Sequence, residues 1–100
     1  MSQILWTLPA VEHLKDIRAH ISQDSPAAAS RVVKVIREQV KLLAQHAQAG
    51  RKGIIEGTRE LVVSRLPYLV VYQQQDEIVT VLAVVHTARN WAPDLSSGNS

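Results

Sequence analysis

Apolar positions along this chain are spaced first as a short run, then at steps of three and four, then as runs again. Gln3-Ile4-Leu5-Trp6-Thr7-Leu8 is β-compatible and closed by Pro9, which predicts a short strand over 3–8. Proline in the first turn of a helix lacks only a donor that would be orphaned anyway. Ala10, Leu14, Ile17 and Ile21 then share one helical face, with Glu12, Lys15, Asp16 and Arg18 on the other, so a helix is predicted over 9–22. Ser25 is a natural N-cap and Pro26 a natural first residue for a second helix. Ala29, Val32, Val33, Ile36, Val40 and Leu43 continue at helical spacing, and the helix is predicted to run from 26 to 47, ended by Gly50-Arg51-Lys52-Gly53. Two helices joined by so few residues pack as an antiparallel hairpin.

The remainder reads as strands over Thr58–Arg65, Tyr68–Gln74 and Ile78–His86, separated by Leu66-Pro67 and by Gln75-Asp76-Glu77. Connections this short require antiparallel neighbours. Ile78–Val85 is apolar almost throughout, as expected of a central strand covered on both faces. Tyr68 and Tyr72, four apart on one strand, are expected to pack inward. The predicted order is β-α-α-β-β-β, an α+β domain in which a helical hairpin lies on an antiparallel sheet with a three-stranded meander. One domain is expected over 1–93, with a disordered tail over 94–100.

The chain has 100 residues, enough for one core, and no cysteine, which excludes a disulfide scaffold, a thiolate metal site and cysteine catalysis. No apolar run approaches the ~20 residues of a membrane span. Met1-Ser2-Gln3-Ile4 has neither the basic start nor the long apolar run of a secretory signal, so a cytoplasmic location with no membrane partner is expected. Net charge is +2. Its distribution says more: Arg51, Lys52, Arg59 and Arg65 face only Glu56 and Glu60 over 51–65, a local surplus that either steers an anionic partner or is a solvated face.

Among the histidines, His13, His20, His46 and His86 do not form the i, i+4 pair of a zinc helix, and no metal or cofactor is expected. Gly50, Gly53 and Gly57 match neither phosphate-loop nor dinucleotide spacing, and are read as helix-capping and loop-shaping residues. What remains is a constellation near the strand ends: Arg59, Arg65, His86, Arg89 and Trp91, with Arg51 and Lys52 before them. Gathered on one concave face, arginines and a histidine stabilise a transferring phosphate and move protons without a metal, and Tyr68 or Trp91 offers a stacking plane. The competing reading makes Arg59 and Glu60 surface strand residues, His86 a satisfied strand-end group and Trp91 a lid on the core.

Gly57-Thr58-Arg59-Glu60-Leu61-Val62-Val63, then Pro67-Tyr68-Leu69-Val70-Val71-Tyr72, then Val81–Val85 with His86, Arg89, Asn90 and Trp91, resemble the RelE/ParE superfamily of type II toxins. Pro26-Ala27-Ala28-Ala29 opening a long helix and the Gly50–Gly53 loop fit the same pattern, which covers residues 3 to about 93. The resemblance implies a growth-arresting toxin neutralised by a cognate antitoxin. RelE-like members cleave mRNA on the ribosome; ParE-like members poison DNA gyrase. Ribonuclease relatives tend to carry an arginine after the tyrosine of the third strand, where this chain has Leu69. They also tend to carry lysines on the preceding strand, where it has Glu60 and Val62. Several close on a tyrosine-bearing segment, which is missing beyond Trp91. The resemblance therefore leans to the ParE side: gyrase as target, met by Arg51, Lys52, Arg59, Arg65, Arg89 and Trp91, and operator DNA reached only through the antitoxin. If the chain is instead a ribonuclease, the resemblance implies Arg59, Arg65, His86 and Arg89 as its catalytic set, with ribosome and mRNA as partners; a non-toxic co-repressor is the third possibility. The antitoxin contact is expected on the exposed helix faces and the edge of the first strand.

Overall fold

The computed structural model describes residues 1–88. Arg89, Trp91 and the tail expected at 94–100 lie outside them. The elements are β1 (Gln3–Trp6), α1 (Leu8–Ser22), α2 (Pro26–Lys41) with a 3-10 turn at Leu42–Ala44, β2 (Arg51–Lys52), β3 (Arg59–Val62), β4 (Tyr68–Gln75) and β5 (Ile78–His86). They form the expected α+β arrangement of a helical hairpin on one sheet, whose strand order is β1-β5-β4-β3-β2. β2 to β5 are antiparallel neighbours, whereas β1 lies parallel to β5, so the sheet is mixed rather than wholly antiparallel.

Each departure from the predicted boundaries has a local cause. β1 stops at Trp6 because Thr7 turns to cap α1: its Oγ1 accepts from the Ala10 amide (3.3 Å) and donates to the Val81 carbonyl (2.9 Å). α2 begins as predicted, with Ser25 Oγ accepting from the Ala28 amide at 3.1 Å. It ends at Lys41 rather than 47, tightening into the 3-10 turn, because the backbone of 47–50 bonds to Tyr72 instead. Arg51 and Lys52, expected in a loop, are a fourth antiparallel strand opposite Glu60 and Arg59. β3 ends at Val62 because the chain turns at once; Leu66 N donates to Val63 O (3.2 Å), and Arg65 sits at φ +66°.

The core lies between the hairpin and one sheet face. Ala10 and Leu14 of α1 and Val33, Ile36 and Val40 of α2 meet Val70, Tyr72, Val79 and Val81 there, with Ile4 and Trp6 of β1 at its margin. Both tyrosines are buried, as expected. The uninterrupted apolar run of β5 has a geometric reason. Between Val71 and Tyr72 the register shifts, leaving Leu82 unpaired between Val81 and Ala83. That bulge inverts the alternation: Val79 and Val81 face the helices before it, and Val84 faces them after it. Ala83 and Val85 join Leu69 and Val71 in a second buried cluster on the opposite face.

Candidate target- and partner-binding sites

The β2–β3 edge carries three of the predicted residues, each held differently. Glu60 points to the face away from the helices and is only 4 % exposed. A carboxylate that buried needs partners, and it has them: Arg51 Nε and Nη2 at 3.2 Å and the Ile54 amide at 3.0 Å. Arg51 keeps two-thirds of its side chain in solvent beyond that pair. Arg59, on the helix-bearing face opposite Tyr72, donates from Nη1 to the Gly50 carbonyl at 2.7 Å and to the Gln48 carbonyl at 3.4 Å. Lys52 is exposed and has no ion pair among the described residues.

Beneath this edge the buried Tyr72 hydroxyl donates to the Ala47 carbonyl (2.7 Å) and accepts from the Gly50 amide (2.9 Å). Tyr72, Arg59 and Glu60 thereby clamp the segment from 47 to 54 from three sides. Glycine is required at 50 because a Cβ would lie 2.8 Å from the tyrosine ring and 2.9 Å from the Glu60 carbonyl oxygen. Glu60 and Tyr72 are the residues that sequence reasoning missed as builders of this edge. A strand tyrosine read as buried needs a partner for its hydroxyl, and that requirement was the available signal.

The other predicted residues sit elsewhere. His86 pairs with Tyr68 at the far end of β4, its ring edge-on to the tyrosine at 5.3 Å between centroids. Its Nδ1 accepts from the Ala88 amide at 3.1 Å. Arg65 occupies the adjacent β3–β4 turn, exposed. Arg59 opposes Tyr72 and His86 opposes Tyr68, four residues along one strand; that is roughly 13 Å at ~3.3 Å per residue. The predicted constellation is therefore split into two groups, Arg51, Lys52 and Arg59 at one end and Arg65 with His86 at the other. Arg89 and Trp91, assigned to the same constellation, lie outside the described residues. No group of three metal-ligating side chains occurs among the described residues.

A second surface lies on the opposite edge of the sheet. α2 overhangs β1 and encloses a groove of about 530 Å³ with Ile4, Trp6, Val33 and Val40 on its apolar floor. Its rim carries Arg18, Lys34, Arg37 and Lys41 against the single acid Glu38. Gln3 N donates to the Glu77 carbonyl just before β5 (2.8 Å) and Thr7 N to the Val81 carbonyl of β5 (3.1 Å), so odd residues of β1 bond inward and Ile4 presents its amide and carbonyl to the free edge. Apolar floor, cationic rim and open strand edge together suit an acidic amphipathic segment.

Comparison with known proteins agrees with this architecture. A family model described as the ParE toxin of the type II toxin–antitoxin system parDE matches residues 4–91. The chain is 42% identical over 89 residues to Y4kP of Sinorhizobium fredii, a protein carrying a toxin name, covering 89% of this chain and 92% of that one. It is 36% identical over 89 residues to toxin RelE2 of Caulobacter vibrioides, covering 89% and 99%. Among solved structures, a chain of the chromosomal ParDE toxin–antitoxin system from P. aeruginosa superposes with a TM-score of 0.77 at 28% identity, over 86% of this chain and 96% of that one.

Proposed function

The chain belongs to the family of ParE toxins of type II toxin–antitoxin systems, and on that premise we propose that it arrests bacterial growth by poisoning DNA gyrase. The observation that carries this reading is the division of the charged residues. Metal-free RNA cleavage needs one group to activate the 2′-hydroxyl, another to protonate the leaving oxygen and a cation on the transferring phosphate. Here His86 and Arg65 share one end, whereas Arg59 lies ~13 Å away along β4 and spends its guanidinium on backbone carbonyls. The second proton transfer needs a group besides His86, and Arg59, distant and always protonated, does not supply it; lacking one general acid or base typically costs ~100- to 10,000-fold, which supports a binding poison, with Arg51 and Lys52 exposed toward the target.

A cognate antitoxin keeps the toxin silent by laying an acidic segment in the α2–β1 groove, and operator DNA is met only through that antitoxin. Induction of the chain in bacteria is expected to give DNA damage and filamentation. Purified protein is expected to stabilise gyrase–DNA cleavage complexes, and co-expression of the antitoxin to abolish both effects. Cuts at codon boundaries in a ribosome-containing lysate that vanish with His86→Ala would replace gyrase by mRNA as the target. Normal growth with folded protein present would leave a co-repressor.

A further inference from the structure

We propose that the tip of the β2–β3 hairpin, Ile54 and Ile55, is an apolar anchor that inserts into a socket on a protein partner, a socket apolar at its base and acidic at its rim. The proposal rests on the reading that the chain acts on a target, and not on the target being gyrase. Ile54 is 78 % exposed and Ile55 41 %. Burying one such side chain is worth roughly 10- to 100-fold in an equilibrium constant, and in the free protein that gain is forgone at two successive positions.

The tip is nevertheless fixed. Gly53 N donates to Thr58 O at 2.9 Å, extending the β2–β3 ladder, and Thr58 N donates to Ile55 O at 3.1 Å. Thr58 Oγ1 donates to the same Ile55 carbonyl at 2.6 Å, and Ile54 N donates to the buried Glu60 carboxylate at 3.0 Å. Gly57, at φ +85°, supplies the left-handed residue that closes the turn. Side chains presented by so braced a loop lose little backbone freedom on binding, which is what an anchor residue requires.

The surroundings choose the partner. Arg51 leads into the tip with its charge matched by Glu60, and Lys52 and Arg59 outnumber Glu56 beside it. An aliphatic anchor with a cationic collar complements an apolar socket with an acidic rim. Branched aliphatic side chains offer neither a flat face for base stacking nor a donor for phosphate, so the fit is to protein rather than nucleic acid.

The test uses the full-length protein with Ile54→Asp and Ile54→Leu, both required to match the wild type in urea midpoint and antitoxin affinity. Ile54→Asp is expected to need about 30-fold or more protein for equal inhibition of gyrase supercoiling and for equal growth arrest, and Ile54→Leu to stay within about threefold. If the wild type arrests growth without touching gyrase and Ile54→Asp does not arrest it, the gyrase reading falls and the anchor stands. Equal potency of Ile54→Asp and wild type overturns the anchor, as does a wild type that arrests nothing. Ile54-dependent binding to a protein-free RNA or DNA oligonucleotide also overturns it, since the partner would then be a nucleic acid.

Discussion

The two edges of the sheet use the same materials, aliphatic side chains and cations, in opposite shapes. At the β1 edge they are concave: Ile4, Trp6, Val33 and Val40 form a floor under a rim of Arg18, Lys34, Arg37 and Lys41. At the β2 edge they are convex: Ile54 and Ile55 project from a hairpin of two-residue strand and tight loop. Part of the strand backbone on the β1 side is left open, whereas the 47–54 segment on the other side is clamped by Tyr72, Glu60 and Arg59. An open strand edge under a groove receives a flexible segment that orders on it. A braced tip enters a partner that already has a cavity. On the proposals above, the contrast lets one small chain meet an inhibitor and a target on separate surfaces.

Substitutions that break one edge and spare the other sharpen this contrast. Tyr72→Phe should have the largest effect, since it strands the Ala47 carbonyl and the Gly50 amide without their partner. A loss of about 2–3 kcal/mol is expected by urea denaturation, and the affinity of the remaining folded protein for the antitoxin should be unchanged. Reversing the rim with Lys34→Glu, Arg37→Glu and Lys41→Glu together should weaken antitoxin binding about 10- to 100-fold, more at low salt than at high, as read by calorimetric titration. Potency against the target should survive that triple change; a parallel loss would mean that the two surfaces are one.

Arg59→Ala is expected to cost about 1 kcal/mol, because the guanidinium closes the Gly50 carbonyl, and to weaken toxicity by loosening the loop. Arg59→Lys should restore little, since both carbonyls are met by the terminal Nη1, one atom farther along the side chain than a lysine ammonium. The smallest change has the opposite sign. Arg65 holds φ +66° without being glycine, so Arg65→Gly should raise stability by up to about 1 kcal/mol in thermal unfolding. Any fall in toxicity with that variant would then report the guanidinium and not the fold.

Apart from β2, element type and order were legible in the sequence because they rest on local physics. Ser25 before Pro26 can only begin a helix well, and Ala29, Val33, Ile36 and Val40 share one face whatever they pack against. The β5 span from Ile78 to His86 agreed to the residue, because Asp76 and Glu77 before it offer only a turn. The family was legible from motif order for the same reason: it is carried by residues along the chain.

Partnerships across the chain were decided only by tertiary structure. Nothing local says that Glu60 is buried, since a carboxylate beside an arginine on a strand suits a solvated surface equally well; its burial follows from Arg51 arriving opposite it. The two-residue β2 strand exists only because β3 offers an edge to pair with, and a segment that short has no propensity signal of its own. The pairing of β1 with β5, parallel and some 75 positions later in the chain, creates both the open edge and the groove. The separation of Arg59 from His86 along the strands is a matter of register, because a register shifted by four would have placed them level on either side of β4. Spacing along the sequence determines which side chains share a face, and only the register of the folded sheet determines which of them share a site.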